Sequence, residues 1–157
     1  MSQNKIIEKS EPLSKQNLRL WLRLLKATRI IETQLRDKLR QEFSSTMPRF
    51  DVLAALYRFE KGLKMSALSN VLMVSNGNVT GIVDRLVKDG LVVRVPVIGD
   101  RRALLVRLTA KGREEFARQA KSHESWVDEL LSEFAATGGT EFSDQLDELT
   151  KSLEERI

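Results

Sequence analysis

The stretch "MSALSNVLMVSNGNVTGIVDRLVKDG", residues 65–90, constrains the fold more than any other part of the chain. It carries two apolar sets at helical spacing. Leu68, Val71 and Leu72 form the first, Val79, Ile82, Val83 and Leu86 the second, and only "MVS" lies between them. Ser66 and Ser75 stand where N-caps belong, and Gly90 stands where a glycine closes the second helix. Two capped helices joined by so tight a connection are the signature of a helix-turn-helix.

Two β-branched, apolar runs follow, "LVVRVPV" and "ALLVRLT", separated by "IGDRR". They predict a hairpin with an open loop of several residues and Pro96 on an edge strand. Upstream, Leu18, Trp21, Leu25, Thr28, Ile31, Leu35, Leu39 and Phe43 repeat at helical spacing and predict one long amphipathic helix. "SSTMPRF" interrupts it: Ser45 or Thr46 can cap a new helix and Pro48 fits its first turn. Phe50, Leu53, Leu56 and Tyr57 supply that helix's inner face, and Gly62 ends it. Beyond Thr109 the helical period returns through Phe116, Ala120, His123, Val127, Leu130 and Phe134. After "TGGT" it continues through Phe142, Leu146, Leu149, Leu153 and Ile157.

The predicted fold is therefore mainly α with a small β-hairpin wing. A winged helix-turn-helix lobe occupies residues 46–112, and residues 15–44 and 113–157 form dimerisation helices in the same domain, 15–157. Residues 1–14 are expected to form a flexible N-terminal segment. The dimer expectation comes from apolar surface: Phe142, Leu146, Leu149 and Leu153 add more than a small winged helix covers, and exposed patches of that size are uncommon on monomers. Packing against the chain's own long helices is the alternative.

Composition removes several function classes. The chain has no cysteine and one histidine, His123. Disulfides, thiol redox switching and thiolate metal sites are excluded, and a structural zinc site is not expected. The lone imidazole has no cysteine or glycine-flanked serine to serve, and no Gly-rich phosphate loop is present, so neither an enzyme nor a cofactor is expected. No apolar stretch approaches the ~20 residues of a membrane span. The start, "MSQNKIIEKSEPLS", lacks the apolar core of a secretory signal, so the chain is expected in the cytoplasm. A net charge of +4 suggests a polyanionic partner, and position must decide.

Position points to DNA. In a winged helix-turn-helix the second helix of the turn enters the major groove, and short polar groups cluster at its start: Ser75, Asn76, Asn78 and Thr80, with Gly77 and Gly81 allowing close backbone approach. Arg85 and Lys88, a turn or more later, are placed to meet phosphate. At the wing tip Arg101 and Arg102 can reach phosphates or a narrow minor groove. Asp100 would repel DNA by itself and reads as an ion-pair or loop-capping partner that orients Arg102. The plainer alternatives are ordinary helix capping for Asn76 and Asn78 and a solvated hairpin tip for the arginines. As a whole, a winged helix used for protein–protein contact is the competing function.

The segment "VSNGNVTGIVDRLVKDGLVVRVPVIGDRRALLVRLTAKG" resembles the helix-turn-helix and wing of the MarR family of bacterial transcriptional regulators. The hallmark, an acid, any residue, an arginine, a strand and then Leu-Thr-x-x-Gly, stands as Asp100, Arg102, Leu108, Thr109 and Gly112. The resemblance implies a homodimer on a pseudopalindromic double-stranded operator, most often a repressor released by a small molecule. Many members carry a long basic side chain where this chain has Gly81, so base reading here leans on Asn76, Asn78, Thr80 and Arg85. "NVTGIVDRL" with "HESWV" further resembles the branch that senses aromatic acyl-coenzyme A thioesters.

Two features fit a small effector, an aromatic acid or its coenzyme A thioester. His123 with Trp126 interrupts an apolar stripe, as a polar handle in an apolar pocket would. Lys26, Arg29, Arg36 and Arg40 fall near one face of the first helix, a dock for an anion. A histidine satisfied within the core or dimer seam, and a solvated charged face, are the respective alternatives.

Overall fold

The structure, a computed structural model, describes residues 11–157. The first helix, α1 (Leu13–Phe43), begins five residues ahead of the apolar periodicity. Pro12 stands just outside it, and its carbonyl accepts from the Gln16 N–H at 3.2 Å. The chain divides after Gln34 into two units. In the first, the α1 residues through Gln34, none of the described residues is buried: Leu18 is 56% exposed, Trp21 56% and Leu22 53%.

The second unit, from Leu35 onward, holds the core. Thr46 caps α2 (Met47–Arg58), accepting from the Arg49 N–H at 3.4 Å, with Pro48 in the first turn. A short strand, β1 (Leu63–Lys64), runs directly into α3 (Met65–Leu72), and α4 (Asn76–Lys88) follows after the turn. Val52, Leu53 and Leu56 of α2, Leu68 of α3 and Val79, Val83 and Leu86 of α4 are fully buried together with Val106. Most of these are inward positions that the spacing selects, because residues three and four apart share a helix face. Val52 is buried although the spacing does not select it, while Tyr57 and Val71, expected on the inner faces, sit at the edges of their stripes and remain 42% and 43% exposed.

The wing is three-stranded rather than two. β2 (Val92–Val97) and β3 (Asp100–Leu108) form the antiparallel hairpin, and β1 pairs with the other side of β3 through Leu63 opposite Val106. Two residues carry no readable alternation, so β1 is invisible in the sequence. The hairpin also closes more tightly than the open loop expected of "IGDRR": the turn is Ile98–Gly99, with Gly99 at φ +86°. The looseness lies one step further on. Pro96 pairs with Leu104 and Val97 with Asp100, which leaves Arg101, Arg102 and Ala103 bulged. Pro96 has no N–H to donate, so the ladder is weakest there.

Capping differs from the expectation at one helix. Lys64, not Ser66, occupies the N-cap of α3, because β1 enters the helix with no residue between them. Ser75 does stand at the N-cap of α4, although its hydroxyl makes no capping hydrogen bond.

A single peptide region ties helix, wing and C-terminal helix together. Gly90, at φ +75°, ends α4 in a left-handed cap: its N–H donates to Val87 O at 3.0 Å and the Leu91 N–H donates to Leu86 O at 3.0 Å. Thr109 donates its N–H to Leu91 O at 3.0 Å and its hydroxyl to Gly90 O at 2.7 Å. The same hydroxyl accepts from the Gly112 N–H at 3.0 Å and so caps α5 (Ala110–Phe134). A Cβ at Gly112 would lie 1.9 Å from Leu91 O. The Leu-Thr-x-x-Gly spacing is thus a packing requirement: the threonine serves two backbones, and the glycine lets α5 touch the start of β2.

Beyond α5, Ala135–Gly139 winds as a π-type segment broken at Thr137 and at Gly138, whose φ is +120°. α6 (Thr140–Glu154) follows. Phe134 and Phe142 meet edge-to-face across the break at 5.3 Å. Leu149 and Leu153 remain 44% and 49% exposed. Among the described residues no helix is long and apolar enough to cross a membrane.

Candidate nucleic-acid interface

With Val79, Val83 and Leu86 turned inward, the 100° step of a helix puts Gly77, Gly81 and Lys88 at the outermost line of α4. Asn78, Thr80, Asp84 and Arg85 flank that line, and all seven are exposed. A Cβ at Gly77 or Gly81 would meet no atom within 4 Å, so the crown of the helix is bare backbone. Ser75 is exposed at its N-terminus. The side chain of Asn76, also expected on this surface, lies outside the described residues. Asn78 and Arg85, with Ile82, line a groove of about 620 Å³ against Thr46, Pro48 and Arg49.

Two ion pairs brace the helix, and sequence reasoning missed both. Asp84 pairs with Arg94 of β2, which fastens α4 to the wing. Asp89 pairs with Arg49 of α2 at 2.7 Å. Their partners stand 10 and 40 residues apart in the chain, so no local spacing announces them. The Arg94 pairing also matters electrostatically, because an unpaired Asp84 on this face would repel phosphate.

At the wing, Asp100 Oδ1 accepts from the backbone N–H of Arg102 at 3.0 Å. Of the two local roles open to Asp100, this is the loop-capping one. Arg101 and Arg102 are exposed, and among the described residues neither guanidinium enters an ion pair. The bulge therefore presents two free cations from a backbone fixed by a carboxylate.

The residues expected at an effector site are divided between the two units. Lys26 and Arg29 line a shallow hollow of about 460 Å³ on α1 with Leu22, Leu25 and Ile30. Further along the sequence, Arg36 is exposed and Arg40 pairs with Asp37 at 3.0 Å. On α5, His123 stacks on Phe50 of α2, centroids 4.6 Å apart and planes 22° apart. Burial holds its pKa below the ordinary histidine value, and the charge of Asp51 opposes that shift in part. Trp126 is buried against Phe43 at 6.1 Å, with Lys38 Nζ 5.7 Å over its ring. His123 and Trp126 thus both pack against other residues of the second unit.

Comparison with known proteins gives a consistent result. Residues 45–103 match the family model described as MarR family. The chain is 30% identical to the HTH-type transcriptional regulator PecS of Dickeya dadantii over 119 residues, which cover 74% of this chain and 72% of PecS. Its fold is similar to that of a MarR family transcriptional regulator from Silicibacter pomeroyi: TM-score 0.76, 33% identity, 91% of this chain and 99% of that one. It is also similar to NadR solved with 4-hydroxyphenylacetate: TM-score 0.65, 26% identity, 82% of this chain and 89% of that one. The family and PecS are transcriptional regulators, not enzymes.

Proposed function

The chain belongs to the MarR family of transcriptional regulators, and on that premise we propose that it works as a homodimeric repressor released from a pseudopalindromic operator by an aromatic acid or its coenzyme A thioester. MarR-family transcriptional regulators bind operator DNA. The observation that carries the reading is the shared geometry of α4 and the wing. A bare, polar helix crown is fastened by the Asp84–Arg94 pair to a hairpin whose two arginines are free. Helix and wing are therefore presented to DNA as one rigid unit, with Asn78 and Thr80 at base edges and Arg85, Lys88, Arg101 and Arg102 at phosphate or in the minor groove.

The test is the salt dependence of operator binding. Each phosphate that the protein no longer neutralises takes about 0.9 off the slope of log affinity against log salt concentration. Arg101→Ala/Arg102→Ala should flatten the slope and weaken binding while leaving the fold intact, since both side chains are exposed. An unchanged slope and affinity would refute the wing's role.

Two observations favour the effector class. NadR, with a similar fold, is solved with 4-hydroxyphenylacetate. In this chain Lys26 and Arg29 border a hollow floored by Leu22, Leu25 and Ile30, a cationic rim over an apolar floor that suits an aromatic carboxylate. A ligand shifts an equilibrium only by its differential affinity, so operator and effector must weaken each other by the same factor. Calorimetry of 4-hydroxyphenylacetate, benzoate and benzoyl-coenzyme A, with and without operator, checks this; absence of binding by all three would refute the effector class and leave DNA binding standing.

A further inference from the structure

The wing tip carries a side chain that its local structure does not explain. Ile98 is fully exposed at the turn between β2 and β3. Such turn positions ordinarily hold Gly, Pro, Asn, Asp or Ser, whose chemistry suits the geometry and water. An apolar β-branched residue there gains nothing from the hairpin. It projects beside Gly99, which makes the turn at φ +86°, and beside Arg101 and Arg102, which the bulge leaves unpaired in the ladder. The tip therefore carries one exposed apolar side chain and, three and four residues on, two exposed cations. Asp100, its carboxylate, is engaged by the Arg102 backbone N–H.

We propose that Ile98 makes the wing a reader of minor-groove composition, admitting A·T pairs and rejecting G·C pairs at the operator positions it covers, a role that rests on the DNA-binding reading above. The minor groove is about 6 Å wide, and its A·T floor presents only acceptors, adenine N3 and thymine O2. Arg101 and Arg102 supply donors for those acceptors, and Ile98 packs on the deoxyribose walls. A G·C pair adds the guanine N2 amino group, a donor that protrudes into the groove. Under an isoleucine it loses water and gains no acceptor, a penalty that no arginine relieves. Discrimination at these positions then comes from an apolar contact rather than from a hydrogen bond to a base.

Inosine separates this from other readouts, because an inosine·C pair matches G·C in the major groove and lacks only the N2 amino group. Duplexes selected from a randomised pool by the full chain are rebuilt with A·T, inosine·C or G·C at the wing positions. Those positions are located by the hydroxyl-radical protection that Arg101→Ala/Arg102→Ala loses. The wild type should bind the A·T and inosine·C duplexes at least about fivefold more tightly than the G·C duplex, the low end of the cost of one wrong base pair. In Ile98→Ser, whose melting temperature should match the wild type, the preference should collapse while the salt slope stays unchanged. Equal binding of inosine·C and G·C duplexes by the wild type, or a preference intact in Ile98→Ser, would overturn the proposal and leave DNA binding untouched. A wild type that selects no duplex at all would overturn both.

Discussion

Replacing Gly81 with alanine should make the protein more stable and worse at binding DNA. Gly81 lies in the middle of α4, is exposed, and has open space where a Cβ would be. Glycine in a helix interior costs about 0.5–1 kcal/mol relative to alanine, chiefly because the unfolded chain has more freedom to lose. With no steric term to offset it, Gly81→Ala should recover that amount, a rise of about 1–4 °C in melting temperature at this chain length. Binding should move the other way. The new methyl group stands on the outermost line of the helix, between backbone and base edges, and holds α4 off the groove floor. Losing the register of one base pair's readout costs about 1–3 kcal/mol, or about 5- to 150-fold in affinity. Thermal melts of the free protein and fluorescence anisotropy on operator and scrambled duplexes measure both quantities. A variant that melts higher and binds operator as tightly as the wild type would show that the crown of α4 does not face the bases.

Gly112→Ala should be severely destabilising, by about 3 kcal/mol or more, because its Cβ would overlap Leu91 O at 1.9 Å; denaturant melts within about 1 kcal/mol of wild type would contradict the packing account of the Leu-Thr-x-x-Gly spacing. His123, held below its ordinary pKa by burial, takes up a proton less readily folded than unfolded. Its stabilising contribution is full above about pH 6.5 and is lost as the pH falls through the depressed folded value. The melting temperature of the wild type should therefore fall more between about pH 7.5 and 5.5 than that of His123→Gln, and parallel curves would refute it. Leu149→Glu puts a charge on the exposed apolar line of α6 and should give monomers by light scattering, with the lobe still folded by circular dichroism. A wild type already monomeric at micromolar concentration would remove the dimer reading.

Much of this fold is legible in the sequence because its helices bury one stripe each, and a stripe has a period. Of the four α4 residues the spacing selects, Val79, Val83 and Leu86 are buried and Ile82 is half-buried. Thr46 caps α2, and Gly90 closes α4. What the sequence hides are features whose cause is non-local. β1 exists only because β3 offers it an edge. Ser66 loses the capping position to Lys64 because that strand arrives without a spacer. The Asp84–Arg94 and Arg49–Asp89 pairs join elements that only folding brings together. At the candidate DNA face, residue types and helical phase name the exposed polar positions, while the bulge that holds Arg101 and Arg102 comes from a register shift between Pro96 and Val97. At the effector residues composition is the weaker guide, since a histidine or tryptophan within an apolar stripe serves packing as readily as binding.

The bonds around Leu91 have a mechanical consequence. Because α4, β2, β3 and α5 are pinned within a few atoms of one peptide, α4 cannot swing without carrying the start of α5 with it. α5 has 25 residues, a rod about 37 Å long. A turn of the lobe by about 5° moves the far end of such a rod by about 3 Å, as for any stiff lever of that length. The relation also runs the other way: a force applied near Phe134, at the lever's long arm, rotates α4 and the hairpin by a small angle with large mechanical advantage. A load placed on that distal end therefore reaches α4 through the junction at Leu91, without contact to any residue of α4 itself.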